Sequence, residues 1–284
     1  MARPRYIDLH LHTTASDGLC RPGDLIRLAA ERRLSAVSIT DHDTVGGLAE
    51  AAEAASRVGV ELVPGIELGT SHSRGTLHIL GYFIDPESPS LRRSLEEVHG
   101  WRQERNQAIV KRLAELGIML SPNWASRFSA EQTVGRPHLA EELVRLRVVN
   151  GPQQAFTRFL GRGAAAYVRR RTWTPEQAIR VIRDAGGVAS LAHPALLEYG
   201  SRLELATLLH RLRTAGLQAI EVHHPAHTTP QSRLYVELAA KVGLAMTGGS
   251  DLHDPRGHYG QGVGFCGVRV PHVFLDHLQR LLLR

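Results

Sequence analysis

The chain has 284 residues, enough to bury a large core in one big domain or one and a half, and its hydrophobic content of 43% is ordinary for a globular protein. Its formal net charge of +6 favours anionic partners, although an arginine-rich surface without a specific partner explains the charge equally well. Aromatic residues make up only 5%, too few for a large base-stacking surface that binds long nucleic acids.

Short apolar strands alternate with helices over the first 84 residues. Strands are predicted at 6–12, 36–40, 60–69 and 77–84, and helices at 22–33 and 47–58. Pro22 suits the first turn of its helix. The same alternation resumes after residue 170, where Thr174 to Gln177 has the capping-box pattern of a helix start.

The second stretch of alternation has strands predicted at 188–192, 219–222 and 244–247, with helices at 203–215 and 231–242. Alternating strands and helices with short apolar strands predict an α/β fold built on a parallel sheet or barrel.

The middle of the chain breaks this pattern. Helical patterns occur at 91–116, 136–146 and 153–160, with almost no strand signal between them. We therefore predict a helical insertion, or cap, at residues 99–165. Residues 1–98 and 166–284 then form one discontinuous barrel domain.

The two cysteines, Cys20 and Cys266, are too few for a disulfide framework and lack the spacing of a zinc site. Any bound metal would need nitrogen and oxygen ligands, which favours manganese, iron or zinc. No signal-peptide segment precedes His10, and no run approaches the roughly 18 apolar residues of a membrane span. A cytoplasmic protein is expected.

Nine residues of the metal-ligand type stand at the ends of the predicted strands. They are His10, His12, Asp17, His42, Glu67, His78, His193, Asp251 and His253. His10 and His12 share one face of a strand, as a chelating pair does. One such pair is most often structural. The joint placement of nine ligands predicts a metal centre, because the loops at strand ends build the active sites of α/β barrels.

These motifs resemble those of the PHP (polymerase and histidinol phosphatase) family of metal-dependent phosphoesterases. The resemblance rests on His10-Leu11-His12, Ser16-Asp17-Gly18, Thr40-Asp41-His42-Asp43, Gly65-Ile66-Glu67, His78-Ile79-Leu80-Gly81, Ala192-His193-Pro194 and Gly249-Ser250-Asp251-Leu252-His253. It implies a distorted (β/α)7 barrel with three divalent metal ions at the strand ends. Manganese is the first expectation, with iron or zinc as alternatives.

The resemblance also assigns each ligand to an ion. His10, His12, Glu67 and Asp251 would hold the first. Glu67 would bridge to the second, which His78 and His193 would also hold. The third would be held by Asp17, His42 and His253.

Three divalent ions, three carboxylates and a bridging hydroxide leave a net positive charge that suits a phosphate dianion. Clustered metals lower the pKa of bound water and hold the attacking and leaving oxygens of a displacement. We therefore expect hydrolysis of a phosphate ester by a metal-bridging hydroxide held by Glu67. The general acid is not identified, and His223, His224 and His227 are candidates that more often serve structural roles.

A helical insertion over the barrel is typical of the nucleotide-phosphatase branch of this family. Similar proteins act on nucleoside 3′,5′-bisphosphates, on AMP, or on short oligoribonucleotides from the 5′ end. The predicted substrate contacts are Arg102, Arg105, Asn106, Arg136 and His138. The first three share one helix face, and the last two open a helix whose amino end attracts anions. A solvated helix face is the alternative for both groups.

One position departs from the family pattern. Related enzymes often carry a lysine where this chain has Ala164-Ala165, and Arg162 or Arg169 could take its place.

The leading hypothesis is a phosphatase that removes the 3′-phosphate of nucleoside 3′,5′-bisphosphates, with AMP as a second substrate. The alternatives are a 5′-to-3′ exoribonuclease on short RNA, a histidinol-phosphate phosphatase and a non-catalytic metal-binding module. The complete ligand set argues against the last. We expect a small phosphate ester as partner, a nucleotide first and short RNA second, and neither duplex DNA nor a membrane. Base preference and oligomeric state stay open.

Overall fold

The strands of the barrel form one sheet. The computed structural model describes residues 5–72, 77–121, 123–127, 133–255 and 264–283. Within them the strands are β1 (Tyr6–Leu11), β2 (Leu34–Ile39), β3 (Glu61–Gly69), β4 (His78–Tyr82), β5 (Val188–Leu191), β6 (Ala219–His223), β7 (Ala245–Gly248) and β8 (Val270–Pro271). The sheet has the order β7-β6-β5-β4-β3-β2-β1-β8.

The helices surround this sheet and form the cap. They are α1 (Pro22–Glu31), α2 (Leu48–Val58), α3 (Pro89–Glu115), α4 (Arg136–Arg145), α5 (Pro152–Ala155), α6 (Pro175–Asp184), α7 (Arg202–Thr214), α8 (Thr229–Val242) and α9 (Val273–Leu282). In the described part of the chain, no helix is long and apolar enough to cross a membrane.

The sheet curls back on itself after β7. Leu252 forms a parallel bridge with Leu11 of β1, and the amide of Asp251 donates to the carbonyl of His10 at 2.8 Å. Seven strands therefore form a nearly closed barrel, with the short β8 along β1. The predicted (β/α)7 barrel with a helical insertion is confirmed.

The expectation of a parallel sheet is wrong at β4 and β8. Strand β4 runs antiparallel to both β3 and β5, and β8 runs antiparallel to β1. Only eight residues separate β3 from β4, fewer than the dozen or so that a parallel crossover requires. Reversal of β4 has a functional consequence, because it brings His78 at the amino end of β4 beside the carboxyl end of β3.

The capping-box pattern at Thr174 to Gln177 correctly predicted the start of α6. The side chain of Thr174 accepts a hydrogen bond from the amide of Gln177 at 3.2 Å, and the side chain of Gln177 accepts one from the amide of Thr174 at 2.8 Å. The predicted capping box at the start of α6 is confirmed.

The cap has a hydrophobic cluster separate from the barrel core. Ile109 and Leu113 of α3 belong to the cap cluster, whereas Leu91 and Trp101 of the same helix pack in the barrel core. The boundary predicted between residues 98 and 99 thus falls inside one continuous helix. The helix predicted at 153–160 is α5 followed by a π-helical turn, Phe156–Leu160.

Candidate metal centre and its arginine pocket

The nine sequence-predicted ligands lie in one cluster, and four of them surround a common point. Nε2 of His10 lies 3.5 Å from Oε2 of Glu67 and 3.3 Å from Oδ1 of Asp251. Nε2 of His12 lies 3.2 Å and 3.1 Å from the same two oxygens. This is the set predicted for the first ion.

Glu67 links this group to the other predicted ligands. Its Oε1 lies 2.9 Å from Nδ1 of His78 and 3.0 Å from Nε2 of His193, while its Oε2 lies 3.0 Å from Nδ1 of His42. Glu67 therefore stands at the centre of the cluster, and its carboxylate faces both the first and the second predicted sets.

The remaining ligands form a third group that shares His12. Nε2 of His253 lies 3.4 Å from Oδ1 of Asp17, and Nδ1 of His12 lies 3.9 Å from the same oxygen. Donor atoms of His12, Asp17, His42 and His253 all lie within 4.8 Å of one another. His42 thus lies between the second and third sets.

The donor set fits a cluster of divalent ions. Several buried donor atoms in it have no hydrogen-bond partner, namely Nε2 of His10, both ring nitrogens of His12, Oδ1 of Asp17 and Oδ1 of Asp251. Buried polar atoms without partners are costly unless a ligand completes them. Donors bound to one ion at about 2.1 Å lie about 3 to 3.5 Å apart, which matches the spacing around Glu67 and Asp251.

The pKa values of two neighbouring imidazoles in the cluster are shifted in opposite directions. Burial disfavours the charged form of His12, but the carboxylates of Asp251 and Glu67 outweigh it and raise its pKa to about 10. Burial lowers the pKa of His42 to about 4, since it outweighs attraction by Glu67 and Asp17. The carboxylates of Asp251 and Glu67 therefore favour positive charge at this position, as a metal-binding cluster requires.

Two site residues occupy the left-handed backbone region, which is unusual for residues other than glycine. His193 has φ of 25° and Asp251 has φ of 52°. Gly249 lies so close to β1 that an added Cβ would stand 2.3 Å from Cβ of His10. Backbone conformations of this kind persist where the surrounding fold imposes them, and they are frequent at functional sites.

Sequence reasoning missed Glu221, which supports two of the predicted ligands. This fully buried carboxylate lies 3.1 Å from Nδ1 of His10 and accepts a hydrogen bond from the amide of His193 at 2.7 Å. A carboxylate behind a ligating imidazole fixes the orientation and tautomer of the ring. Its position in the apolar strand β6 was an available signal, because a charge buried there needs partners.

The three histidines considered as general acids lie in different surroundings. Nε2 of His224 lies 3.4 Å from Oδ2 of Asp251, so His224 is at the edge of the cluster. The ring of His223 stacks on Phe274 instead. Nδ1 of His227 donates to the carbonyl of Val222 at 3.2 Å.

The loop that carries Asp17 is anchored by a second buried carboxylate, Asp41, which precedes the candidate ligand His42. Asp41 accepts hydrogen bonds from the amide and hydroxyl of Thr13, at 2.7 and 2.6 Å, and from the hydroxyl of Ser16 at 2.5 Å. The cap also contacts this loop, since the amide of Thr133 donates to the carbonyl of Ala15 at 2.9 Å.

An arginine-rich pocket of about 600 Å³ opens beside the cluster, and Asp17, His42 and His78 form part of its wall. Its lining includes six arginines from the cap and the segment that follows it: Arg102, Arg105, Arg136, Arg169, Arg170 and Arg171. Aromatic side chains of Phe156 and Tyr167 line it too. The pocket therefore joins the candidate ligands to a cationic wall.

Of the five predicted substrate contacts, Arg102, Arg105 and Arg136 line this pocket, whereas Asn106 and His138 are buried behind it. The amide nitrogen of the Asn106 side chain donates to the carbonyl of Val134 at 3.0 Å. Nδ1 of His138 accepts from the amide of Gly135 at 3.0 Å and so caps α4.

Arg105 is the most deeply buried cation of the pocket. Burial and the neighbouring Arg102, Arg136 and Arg170 lower its pKa to about 9. Its Nε has no hydrogen-bond partner, while one Nη donates to the Asn106 side chain at 2.9 Å. Arg169, considered as a substitute for the missing lysine, lines the pocket; Arg162 does not belong to the lining formed by the described residues.

The chain is similar to several proteins over most of its length. It is 36% identical over 91% of its residues to a 3′,5′-nucleoside bisphosphate phosphatase of Chromobacterium violaceum, covering 90% of that protein. It is 35% identical over 87% to the 5′-3′ exoribonuclease Rnm of Escherichia coli, covering 85%. It is 32% identical over 93% to a phosphoribosyl 1,2-cyclic phosphate 1,2-diphosphodiesterase of Eggerthella lenta, covering 98%.

Solved structures agree with this relationship. An amidohydrolase of Chromobacterium violaceum, with bound sulfate and no metal, superposes with a TM-score of 0.82 at 34% identity, over 97% of this chain and 96% of the other. A protein of Bifidobacterium adolescentis described as a metal-dependent phosphoesterase gives 0.84 at 26% identity, over 98% and 97%. The PHP domain profile matches residues 8–138. The chain is a member of the PHP family.

Proposed function

We propose that this protein is a metal-dependent phosphatase of nucleotides that removes the 3′-phosphate of nucleoside 3′,5′-bisphosphates, with AMP as a second substrate. Its relatives hydrolyse phosphate esters of nucleotides, RNA or a cyclic sugar phosphate, so hydrolysis of such an ester is the broader statement they support. The bisphosphate is the narrower proposal.

The main support for the bisphosphate as substrate is that the candidate ligands and the arginines line one pocket. Asp17, His42 and His78 form part of its wall, and Arg105 and Arg136 form another part. A guanidinium suits a phosphate because its planar N–H groups can donate two parallel hydrogen bonds. A substrate with one phosphate at the ligand cluster and a second on the arginines would use both parts.

In this proposal the nine ligands hold three divalent ions, with manganese preferred. When bound, such ions polarise the phosphoryl group and lower the pKa of water, which supplies a nucleophile at neutral pH. Glu67 joins the ligand sets, and Glu221 orients His10. The imidazole of His224, beside Asp251, is the candidate that donates a proton to the leaving oxygen.

The proposal is tested by phosphate release from chelator-treated protein with and without added Mn²⁺. Adenosine 3′,5′-bisphosphate should be the best substrate, AMP a slower one and histidinol phosphate the slowest. His12→Ala should lower activity by more than the roughly 10- to 100-fold that follows loss of an outer partner of a ligand. The exposed His210 of α7 offers a matched control, because it belongs neither to the ligand cluster nor to the pocket lining. Turnover of histidinol phosphate alone, or full activity without metal, would contradict the proposal.

A second candidate, 5′-to-3′ hydrolysis of short RNA, is favoured by the charge distribution. Residues 99–171 contain thirteen Lys and Arg against five Glu, so the rest of the chain has a slight acidic excess. A cationic surface concentrated at the cap suits a polyanion longer than one nucleotide. Incubation with an RNA trinucleotide that carries a phosphate at both its 5′ and its 3′ end distinguishes the two functions. Stepwise release of 5′-nucleotides indicates the nuclease, and release of inorganic phosphate from an otherwise intact RNA indicates the phosphatase.

A further inference from the structure

Asp43 is a buried carboxylate on which two arginines of the pocket converge. Its Oδ2 accepts a hydrogen bond from Nη2 of Arg102 and one from Nη1 of Arg170 at 2.9 Å. Arg102 comes from α3 at the start of the cap, and Arg170 from the segment that leaves the cap before α6. One barrel residue therefore binds a cation from the start of the cap and another from the segment that follows the cap.

The backbone of Asp43 is fixed against the ligand cluster. It has φ of 55°, and its amide donates to the carbonyl of Glu67 at 3.0 Å. Nε2 of His99 donates to its carbonyl at 2.9 Å. Asp43 directly follows the candidate ligand His42 and is hydrogen-bonded to Glu67. The two guanidinium groups that bind Asp43 are therefore positioned relative to the ligand cluster.

The fold leaves space for one of these guanidinium groups to lie against the barrel. An added Cβ at Gly69, the last residue of β3, would stand 2.3 Å from Nη2 of Arg170. The guanidinium of Arg170 thus occupies the space that a side chain would fill. Nη1 of Arg170 donates to Asp43. Nη2 of Arg102 donates to the same carboxylate, and Nε of Arg102 has no hydrogen-bond partner.

We propose that Asp43 is a positioning residue that sets the preference for substrates with a second phosphate, by holding Arg102 and Arg170 in the pocket before the substrate arrives. This inference rests on the proposed function for the identity of the substrate. Asp43 accepts from one nitrogen of each guanidinium, which leaves further N–H groups for a ligand. Ordering the two long side chains in advance removes a cost that substrate binding would otherwise carry.

The test compares kcat and KM of Asp43→Asn for adenosine 3′,5′-bisphosphate and for adenosine 3′-monophosphate, using Mn²⁺-loaded protein. The variant should raise KM for the bisphosphate by about tenfold or more, as loss of charge-assisted hydrogen bonds does. The KM for the monophosphate and the metal content should stay close to the wild-type values. An equal loss on both substrates, or a loss of bound metal, would overturn the inference.

Asp41→Asn is the matched control, because Asp41 is equally buried and binds Thr13 and Ser16 rather than an arginine. It should lower turnover of both substrates by the same factor. If Asp43→Asn does not fold, Arg170→Lys replaces it, since lysine retains the charge without the planar fork. Arg170→Lys should lose the same preference, and a retained preference would refute the inference.

Calorimetry separates failure of the inference from failure of the proposed function. Adenosine 3′,5′-bisphosphate is titrated into metal-free wild-type protein and into Asp43→Asn. Tighter binding by the wild type supports the positioning role even if no phosphate is ever released. Equal affinities would contradict that role whatever the catalytic activity.

Discussion

The imidazole of His10 is held from both sides. Glu221 lies 3.1 Å from its Nδ1, and Glu67 and Asp251 face its Nε2. Glu221 also binds the amide of His193, another candidate ligand, at 2.7 Å. A single carboxylate thus contacts two candidate ligands without belonging to the predicted ligand set.

Replacing Glu221 with glutamine should weaken metal binding by about 10- to 100-fold, because outer carboxylates fix the tautomer and basicity of ligating histidines. Isothermal titration with Mn²⁺ measures the effect. Glu237→Gln is the matched control, since Glu237 forms an exposed ion pair with Arg202 on the outside of the barrel. Equal Mn²⁺ affinities of the two variants would show that Glu221 has no such role.

The candidate ligands could be predicted from sequence because their residue types and spacing are informative one by one. His10 and His12 sit at positions that share a strand face, and Asp251 and His253 follow an apolar strand. The signals of Glu221 and Asp43 were weaker, because a charge in an apolar strand, or a carboxylate beside a predicted ligand, does not identify its partners. Each acquires its role from partners distant in sequence, such as His10 for Glu221 and Arg170 for Asp43.

Among the secondary-structure elements, β4 shows what local patterns leave undetermined. Hydrophobic patterning placed the strand near its observed bounds, His78–Tyr82, but strand direction depends on the connection and on pairing with β3 and β5. The two-residue β8 is too short to leave a pattern, and α9 was not predicted although its apolar face packs on the barrel core. Helix starts were more predictable, because a capping box such as Thr174–Gln177 is a local interaction.

The packing of the segment after β7 against β1 can be tested with two Gly→Ala substitutions. Gly249→Ala should lower both the free energy of unfolding and the Mn²⁺ affinity, because its Cβ would overlap His10. Gly100 lies inside α3 with open space around it, so Gly100→Ala should stabilise the protein by roughly 0.5 to 1 kcal/mol. Urea denaturation and Mn²⁺ titration of both variants supply the measurements. Unchanged stability and metal affinity of Gly249→Ala would show that close packing against His10 is not required.

For the whole molecule, barrel and cap contribute different chemistry to one pocket. The barrel supplies the imidazoles and carboxylates of the ligand cluster, and the cap with the segment up to residue 171 supplies the arginines. Direct contacts connect the two parts, including Asp43 with Arg102 and the backbone of Ala15 with Thr133. Neither part alone offers both the candidate metal ligands and the arginines.

We propose that the nine clustered side chains hold three divalent ions. Anomalous diffraction from crystals grown with Mn²⁺, recorded on both sides of the manganese absorption edge, tests it directly. We expect three anomalous peaks: one among His10, His12, Glu67 and Asp251, one beside His78 and His193, and one beside Asp17, His42 and His253. Fewer than three peaks within this cluster would contradict the assignment of three ions to the nine side chains.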